Sequence, residues 1–589
     1  MPDTVFEVFE ATARAHADRP AMRRKRGGEW ETTTWAGYRD AVRQAARGLA
    51  ALGVGPGKGV AIMGFSRPEW YVSNAAAMAA GGLPAGVYTT NTPDQCHYIA
   101  EHAEAVVAVV ENNDYLERFL AVRERLPLLK AIVLMEGEPS GDGVLSWAQL
   151  LDRGAEVDEA EIEDRIAAAG PDDVCTLIYT SGTTGSPKAV MLSHRNLSWI
   201  AEKVVELLDI RAEDRLISYL PLSHVAEQVA SLYLSMATGA CVHFAESVEK
   251  LGENLREVRP HVFLGVPRVW EKIQAGIQAA GAQNPPLKRK IASWARGVGL
   301  KGGYADQKGQ PRPWSYPLAD RLVFSKVRAK LGLQETRFAV ASAAPMAVET
   351  AEFFLSLGIP ILDIWGMSEL TGPATISLPS AYRTGRSGVA LPGSEMKTAA
   401  DGELLVRGPH VFKGYFKDEA VTRETLDADG WLHTGDVAEF DDDGFLRITD
   451  RKKELIITAG GKNIAPQFLE GKLKQIPAIS QAVTIGDRRP YVGALLAIDP
   501  DRVVEEARKA PSPARTPEEA ATCPAFRAYV ERQVEQINRG LARYEQIKRF
   551  VLLPTELTTA GGELTPTMKL KRRVIHAKRA DAIEQLYSQ

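Results

Sequence analysis

Residues 179–194 read Y-T-S-G-T-T-G-S-P-K-A-V-M-L-S-H, a run of small, hydroxylated and glycine positions beside a single lysine. The preceding V-C-T-L-I-Y, residues 174–179, is apolar and β-branched, which predicts a buried strand. Beyond it Ser193 is a plausible N-cap, and Leu197, Ile200, Ala201, Val204, Leu207 and Leu208 recur at helical spacing. A polar segment is thus held between two buried elements. Backbone N–H groups next to glycines, several hydroxyls and a lysine suit a polyphosphate. The segment is not a Walker A loop. Counting from Gly182, the positions that need Gly, Lys and Ser/Thr hold Pro187, Lys188 and Ala189.

The totals bound the rest. A chain of 589 residues exceeds the usual size of one hydrophobic core, so two or more domains are expected. With 45% apolar and 25% charged residues it has the composition of a globular protein, and a net charge of −4 argues against a dedicated nucleic-acid binder. Cys96, Cys175, Cys241 and Cys523 are far apart and read as reduced, mostly buried thiols in a cytoplasmic protein. The acidic start M-P-D-T-V-F-E lacks the basic and apolar regions of a signal peptide. Residues 70–88 are rich in Ala and Gly, and Pro84 interrupts them, so a buried helix and turn fit better than a membrane span. Nothing in the sequence specifies an oligomer.

Residues 1–170 alternate helical stretches (38–52, 93–103) with apolar runs (60–63, 105–110), the signature of a layered α/β sheet. Further runs at 215–222, 240–244, 261–266 and 337–341 continue the pattern. From about 385 to 450 turns and strands take over, and Asp443-Gly444 between A-E-F and F-L-R-I predicts a hairpin. The fold expected is mixed α/β with a β-rich subdomain. The boundary falls at the charged run 450–454, giving a large domain over 1–450 and a small one over 451–589.

Residues 281–330 stand apart, with 11 lysines and arginines against Asp306 and Asp320 and with Trp294, Tyr304, Trp314 and Tyr316 interleaved. Two readings stay open: a solvated helical insertion, or a surface for anionic lipid or for the phosphates of a ligand.

Three more segments bear on a nucleoside triphosphate. The first joins A-S-A-A-P-M (341–346) to D-I-W-G-M-S-E (363–369), where small residues let a flat base approach, Trp365 offers an aromatic face and Glu369 is a hard ligand for Mg²⁺. The second is D-G-W-L-H-T-G-D (429–436) followed by D-R-K-K-E-L (450–455): a carboxylate, Asp436, can accept from both ribose hydroxyls, with Arg451 supporting the sugar. The third is E-L-T-P-T-M-K-L-K-R (563–572), whose Lys569 would on its own be a solvated charge.

Together these segments resemble the motifs of the adenylate-forming superfamily, which comprises acyl-CoA synthetases, non-ribosomal adenylation domains and luciferases. Every core motif is present in the family's order up to residue 573, and L-T-P-T-M-K-L-K-R resembles the long-chain fatty acyl-CoA subgroup. The resemblance implies that Thr180, Ser181, Gly182, Thr183, Thr184, Gly185, Ser186 and Lys188 hold phosphates. It also implies an adenine pocket from Ser342, Ala343, Ala344, Asp363, Trp365, Gly366, Met367 and Ser368, with Trp and Ser where Tyr and Thr are usual. Asp436 and Arg451 become the ribose pair, Glu369 and Ser181 the magnesium ligands, Lys453 the hinge, and Lys569 the mobile catalytic lysine. Met568 replaces a glycine that is usual before that lysine. L-P-L-S-H-V-A-E-Q (220–228) resembles the end of the acyl-pocket strand. His224 there is either a satisfied polar group at a helix start or a pocket wall, and Gln228 stands where some long-chain members carry a tryptophan gate.

The activity implied is that of a ligase activating a long-chain fatty acid with ATP and Mg²⁺ to acyl-AMP, then passing the acyl group to coenzyme A. Its alternatives are loading of an acyl-carrier protein or ligation of another carboxylic acid. Covalent and zinc mechanisms have no support, because no G-x-S-x-G elbow, H-E-x-x-H or zinc spacing occurs.

Overall fold

The computed structural model describes residues 4–180, 187–452, 454–459, 462–565 and 568–588. Strand Val174–Thr180 forms over the apolar run and pairs antiparallel with Lys188–Ser193, so that Thr180 lies opposite Lys188. Ser193 then caps helix His194–Leu208 through a capping box with Asn196, and Leu197, Ile200, Ala201, Val204 and Leu208 of the helix are buried. Both strands belong to an eight-stranded sheet. Beyond Val174–Thr180 it continues through Leu83–Val87, Gly59–Met63, Ala105–Val110, Ala131–Leu134 and Val144–Ser146, all parallel. At its other edge Gly414–Tyr415 pairs with Lys188–Ser193.

A second sheet begins with the parallel strands Val262–Gly265, Phe338–Ala341 and Ile361–Met367 and ends with antiparallel Gly372–Ile376 and Val389–Ala390. A third joins Arg215–Ser218, Cys241–Phe244 and Pro20–Arg26 in parallel to antiparallel Glu29–Thr34. The apolar runs at 60–63, 105–110, 240–244 and 337–341 therefore form strands, and residues 70–88 form buried helix Pro68–Ala79 and strand Leu83–Val87. Among the described residues no helix is long and apolar enough to cross a membrane. All four cysteines are free; Cys96 and Cys175 are buried.

The β-rich part is an antiparallel sheet of Glu395–Thr398, Glu403–Arg407, Leu432–Phe440 and Leu446–Arg451. Its last two strands are the hairpin expected from Asp443-Gly444, and Gly444 takes the positive φ (82°) that such a turn demands. After it the chain builds a three-stranded sheet from Ile479–Ile485, Val492–Ile498 and Ile547–Leu553, flanked by helices. Two apolar clusters lie wholly within residues 456–587 and share no member with the large cluster, which runs from Val5 to Ile448.

Candidate active site

The hairpin explains one predicted pair directly. Its turn sits midway between Asp436 and Arg451, so the two become cross-strand partners, and Arg451 Nε stands 3.0 Å from Asp436 Oδ1. That oxygen is buried and has no aligned hydrogen-bond donor among the described residues, which leaves a lone pair for a hydroxyl. The other oxygen, Oδ2, accepts from the indole N–H of Trp365 at 2.9 Å. Trp365 is itself buried, so it holds the aspartate from the core side. The turn before Asp436 is pinned by Glu403, whose carboxylate accepts from Gly435 N–H at 2.9 Å and from Lys452 Nζ at 2.9 Å.

The adenine-pocket candidates emerge together from the carboxyl ends of neighbouring parallel strands, where ligands of α/β sheets bind. Ala341 pairs in register with Asp363, so residues 342–344 leave the sheet beside the strand segment 363–367, and Ser368 follows that strand. Ser342 and Ala343 are half-buried and Ala344 is exposed. Ala343 holds φ at +72°, a left-handed conformation that costs a non-glycine residue free energy, and such strain clusters at functional sites. Gly366 is required for a different reason: a Cβ there would lie 1.9 Å from Gly372 O. Asp363 accepts from Ser387 Oγ at 3.1 Å, and burial pushes its carboxyl up to about 7. Met367 is half-buried and Ser368 buried.

Glu369 is buried, and its Oε1 accepts from Tyr415 Oη–H at 2.7 Å. Tyr415 lies opposite Val190 on the sheet edge, which puts Lys188 two residues along on the same face; Lys188 Nζ sits 4.7 Å from the centre of the Tyr415 ring. Lys188, Tyr415 and Glu369 thus form one chain of contacts. The sequence reading missed Tyr415, since a two-residue strand carries no periodicity to detect it. The backbone around it is tied in as well: Phe412 N–H donates to Glu369 O at 2.9 Å, and Asn196 Nδ2 donates to Pro409 O at 2.7 Å.

Lys569 comes from the far end of the chain. It sits in a tight turn in which Thr565 N–H donates to Lys569 O at 2.8 Å and Lys569 N–H donates to Thr565 Oγ1 at 3.0 Å. Met568, at the position where a glycine was noted as usual, takes φ +64°. The lysine side chain is exposed. Burial and the nearby Arg451 guanidinium lower its ammonium to about 8, while Asp436, Glu369 and Glu454 pull the other way. The turn is braced by Arg572, which pairs with Glu454 at 3.3 Å and Glu470 at 2.8 Å.

His224 caps the short helix Val225–Glu227, its Nδ1 accepting from Ala226 N–H at 3.1 Å. Burial and the charge of Lys569 hold it neutral, down to about 4, so it stands beside the same cleft. Gln228 is different. It is 1% exposed, and it donates to Leu222 O at 2.7 Å and accepts from Tyr233 Oη–H at 3.3 Å. It opens a π-helical turn, Gln228–Tyr233, as a tied strut rather than a free gate. The phosphate-loop candidates Ser181, Gly182, Thr183, Thr184, Gly185 and Ser186 and the hinge candidate Lys453 lie outside the described residues. Thr180, just before the first group, is half-buried.

An aspartate–arginine pair, a tyrosine-braced glutamate and a lysine from the far end of the chain thus lie within electrostatic reach of one another. The chain belongs to the AMP-binding enzyme family: its family model matches residues 9–416, and the family's C-terminal domain model matches residues 453–589. Similar relatives are the long-chain-fatty-acid–CoA ligase ACSBG2 of Xenopus laevis, 39% identical over all of this chain and 84% of its own length. ACSBG1 of Homo sapiens is 38% identical over all of this chain and 86% of its own. Among solved structures, the anthranilate CoA ligase AuaEII with anthranoyl-AMP superposes with a TM-score of 0.75 at 20% identity, covering 100% of this chain and 99% of that one. The A domain of the carboxylic acid reductase from Segniliparus rugosus with AMP gives 0.76 at 20% identity, covering 99% and 94%.

Proposed function

We propose that the chain activates a long-chain fatty acid and ligates it to coenzyme A in two steps. The fatty carboxylate oxygen attacks the α-phosphorus of ATP, the bond to the bridging oxygen breaks, and pyrophosphate leaves. The thiol of coenzyme A, losing its proton to solvent, then attacks the acyl carbon, and AMP departs with the carbon–oxygen electron pair. The observation that carries this reading is the meeting of Lys569 with Glu369, Asp436 and Arg451 in one cleft, from segments far apart in sequence. The relatives' names supply the acceptor and the acid class.

The first step adds negative charge to the α-phosphate oxygens, so fixed cations matter most there. Lys569 meets that charge. Asp436 accepts from the ribose hydroxyls through its undonated oxygen, with Arg451 and Trp365 fixing its orientation. Asp363, Ser342, Ala343, Ala344, Gly366, Met367 and Ser368 form the adenine surface. Lys188 and the hydroxyls of Thr180, Ser181, Thr183, Thr184 and Ser186 grip the β- and γ-phosphates until pyrophosphate leaves.

The described residues hold no cluster of three or more metal-ligating side chains. One buried carboxylate oxygen held by a tyrosine, with no hydrogen bond to the other among the described residues, fits Mg²⁺ bound mainly through substrate phosphates. Glu369, with Ser181, would hold it, and when bound it neutralises phosphate charge.

Residues 1–450 are proposed as the adenylating domain and 451–589 as the mobile one, with Lys453 as hinge; the separate apolar clusters support that division. His224 stands at the acyl end of the cleft, with Gln228 behind it. Free cysteines suit the reducing cytoplasm.

The test is fatty-acid-dependent exchange of labelled pyrophosphate into ATP. Lys569→Ala should lower exchange by ~10²–10³, the usual loss for one such group, while thiolysis of supplied acyl-AMP stays near normal. Exchange persisting in the variant would refute the assignment.

A further inference from the structure

Six of the fourteen large apolar side chains exposed among the described residues fall within residues 287–322: Leu287, Ile291, Trp294, Trp314, Leu318 and Leu322. Trp314, at 91% exposure, projects almost wholly into solvent. Helix Pro286–Gln307 explains the first three. Its buried stripe includes Ala295, Val298, Gly299 and Gly302 and is covered by an antiparallel segment. The glycines let that segment come close: a Cβ on Gly302 would lie 2.4 Å from the Tyr316 ring, and one on Gly299 2.8 Å from Phe324. Trp294, Ile291 and Leu287 continue the stripe toward the helix start at helical spacing and are exposed, at 41%, 37% and 70%. Leu318 and Leu322 repeat the arrangement on the covering segment.

The charges around this apolar face are one-sided. Its two aspartates are occupied, Asp306 by Arg312 at 2.8 Å and Asp320 by Arg328 at 2.7 Å. Lys288, Arg289, Lys290, Arg321 and Lys326 make no ion pair among the described residues, and all five are exposed. Exposed indoles and leucines flanked by unpaired cations match the boundary of an anionic bilayer, where aromatic rings settle at headgroup level and cations meet phosphates. A second copy of the chain is disfavoured, because it would bring like charges together.

We propose that residues 286–326 form a docking surface for anionic phospholipid membranes. Leu287, Ile291, Trp294 and Trp314 enter the headgroup layer, and the unpaired cations lie over lipid phosphates. The proposal goes beyond the ligase reading and does not need it. If both hold, the enzyme rests where long-chain acids partition.

The test is co-sedimentation of the full chain with vesicles of phosphatidylcholine alone or mixed with phosphatidylglycerol. The wild type should pellet with mixed vesicles only, and less as salt rises toward about 1 M. The triple variant Lys288→Gln, Arg289→Gln, Lys290→Gln should lose about fivefold in partitioning per cation removed and most of its salt dependence. The double variant Trp294→Ser, Trp314→Ser should bind more weakly yet keep that dependence. Unchanged thermal midpoints would show that the variants fold, and neither set touches the cleft. Equal binding to neutral vesicles, binding unaffected by both variants, or a wild-type dimer that the tryptophan variant dissociates would overturn the proposal. Loss of ligase activity with intact vesicle binding would count against the function alone.

Discussion

The role proposed for Lys569 needs its positive charge, and its surroundings make that charge easier to lose. With the folded ammonium lowered to about 8, it is charged below that pH and neutral above it. The adenylation kcat/KM for ATP, which reports the free enzyme, should therefore fall as pH rises through about 8. Bound polyphosphate restores the proton, so kcat should hold to higher pH. Lys569→Arg keeps its charge throughout and should lose the alkaline limb; an unchanged limb in that variant would contradict the assignment. Met568 gives a second residue-level expectation. A β-branched side chain tolerates its φ of +64° poorly, so Met568→Val should slow adenylation by roughly tenfold, about 1–2 kcal/mol, while Met568→Gly matches or exceeds the wild type in single-turnover acyl-AMP formation. At this scale the sequence pointed to most of the charged groups, because each sits in a motif of its own. Contacts between motifs were hidden: Trp365 to Asp436 and Tyr415 to Glu369 span 71 and 46 residues and leave no local pattern. Nor does any side-chain pattern reveal that Ala343 is left-handed.

Elements were legible where a local rule fixed them. The Asp443-Gly444 turn set the hairpin, and the hairpin set the Asp436–Arg451 pairing. The capping box at Ser193 and the apolar period behind it set helix His194–Leu208. Residues 281–330 showed their charge in the sequence, but only the packing of two helical segments through Gly299 and Gly302 reveals which apolar positions stay uncovered. The ties of Gln228 were hidden for a similar reason, since a π-helical turn reorients the side chains that an ideal helix would place elsewhere. The strand ending in Arg451 and the Lys452 anchor on Glu403 and Asp401 stand just before Lys453. A hinge there must change φ and ψ, which proline forbids. Lys453→Pro should spare acyl-AMP formation and slow thioester formation in rapid-quench measurements; equal loss of both steps would refute the hinge.

Across the whole molecule, the large α/β body supplies Lys188, Glu369 and Asp436, Arg451 stands at the junction, and the C-terminal region supplies Lys569 together with the Arg572 brace that holds its turn. Lys474 pairs with Glu271 at 3.7 Å, a contact between the C-terminal region and the large body. The proposed mobile domain would withdraw that lysine for thiolysis, so that each half-reaction has its own arrangement of the same parts. The most direct measurement of this account is AMP release by the purified chain with ATP and Mg²⁺, over saturated fatty acids from octanoate to stearate, with and without coenzyme A. Steady release that requires both coenzyme A and a fatty acid, and that is strongest for the longer acids, is the predicted result. Release that proceeds equally without coenzyme A, or that no fatty acid stimulates, would contradict it.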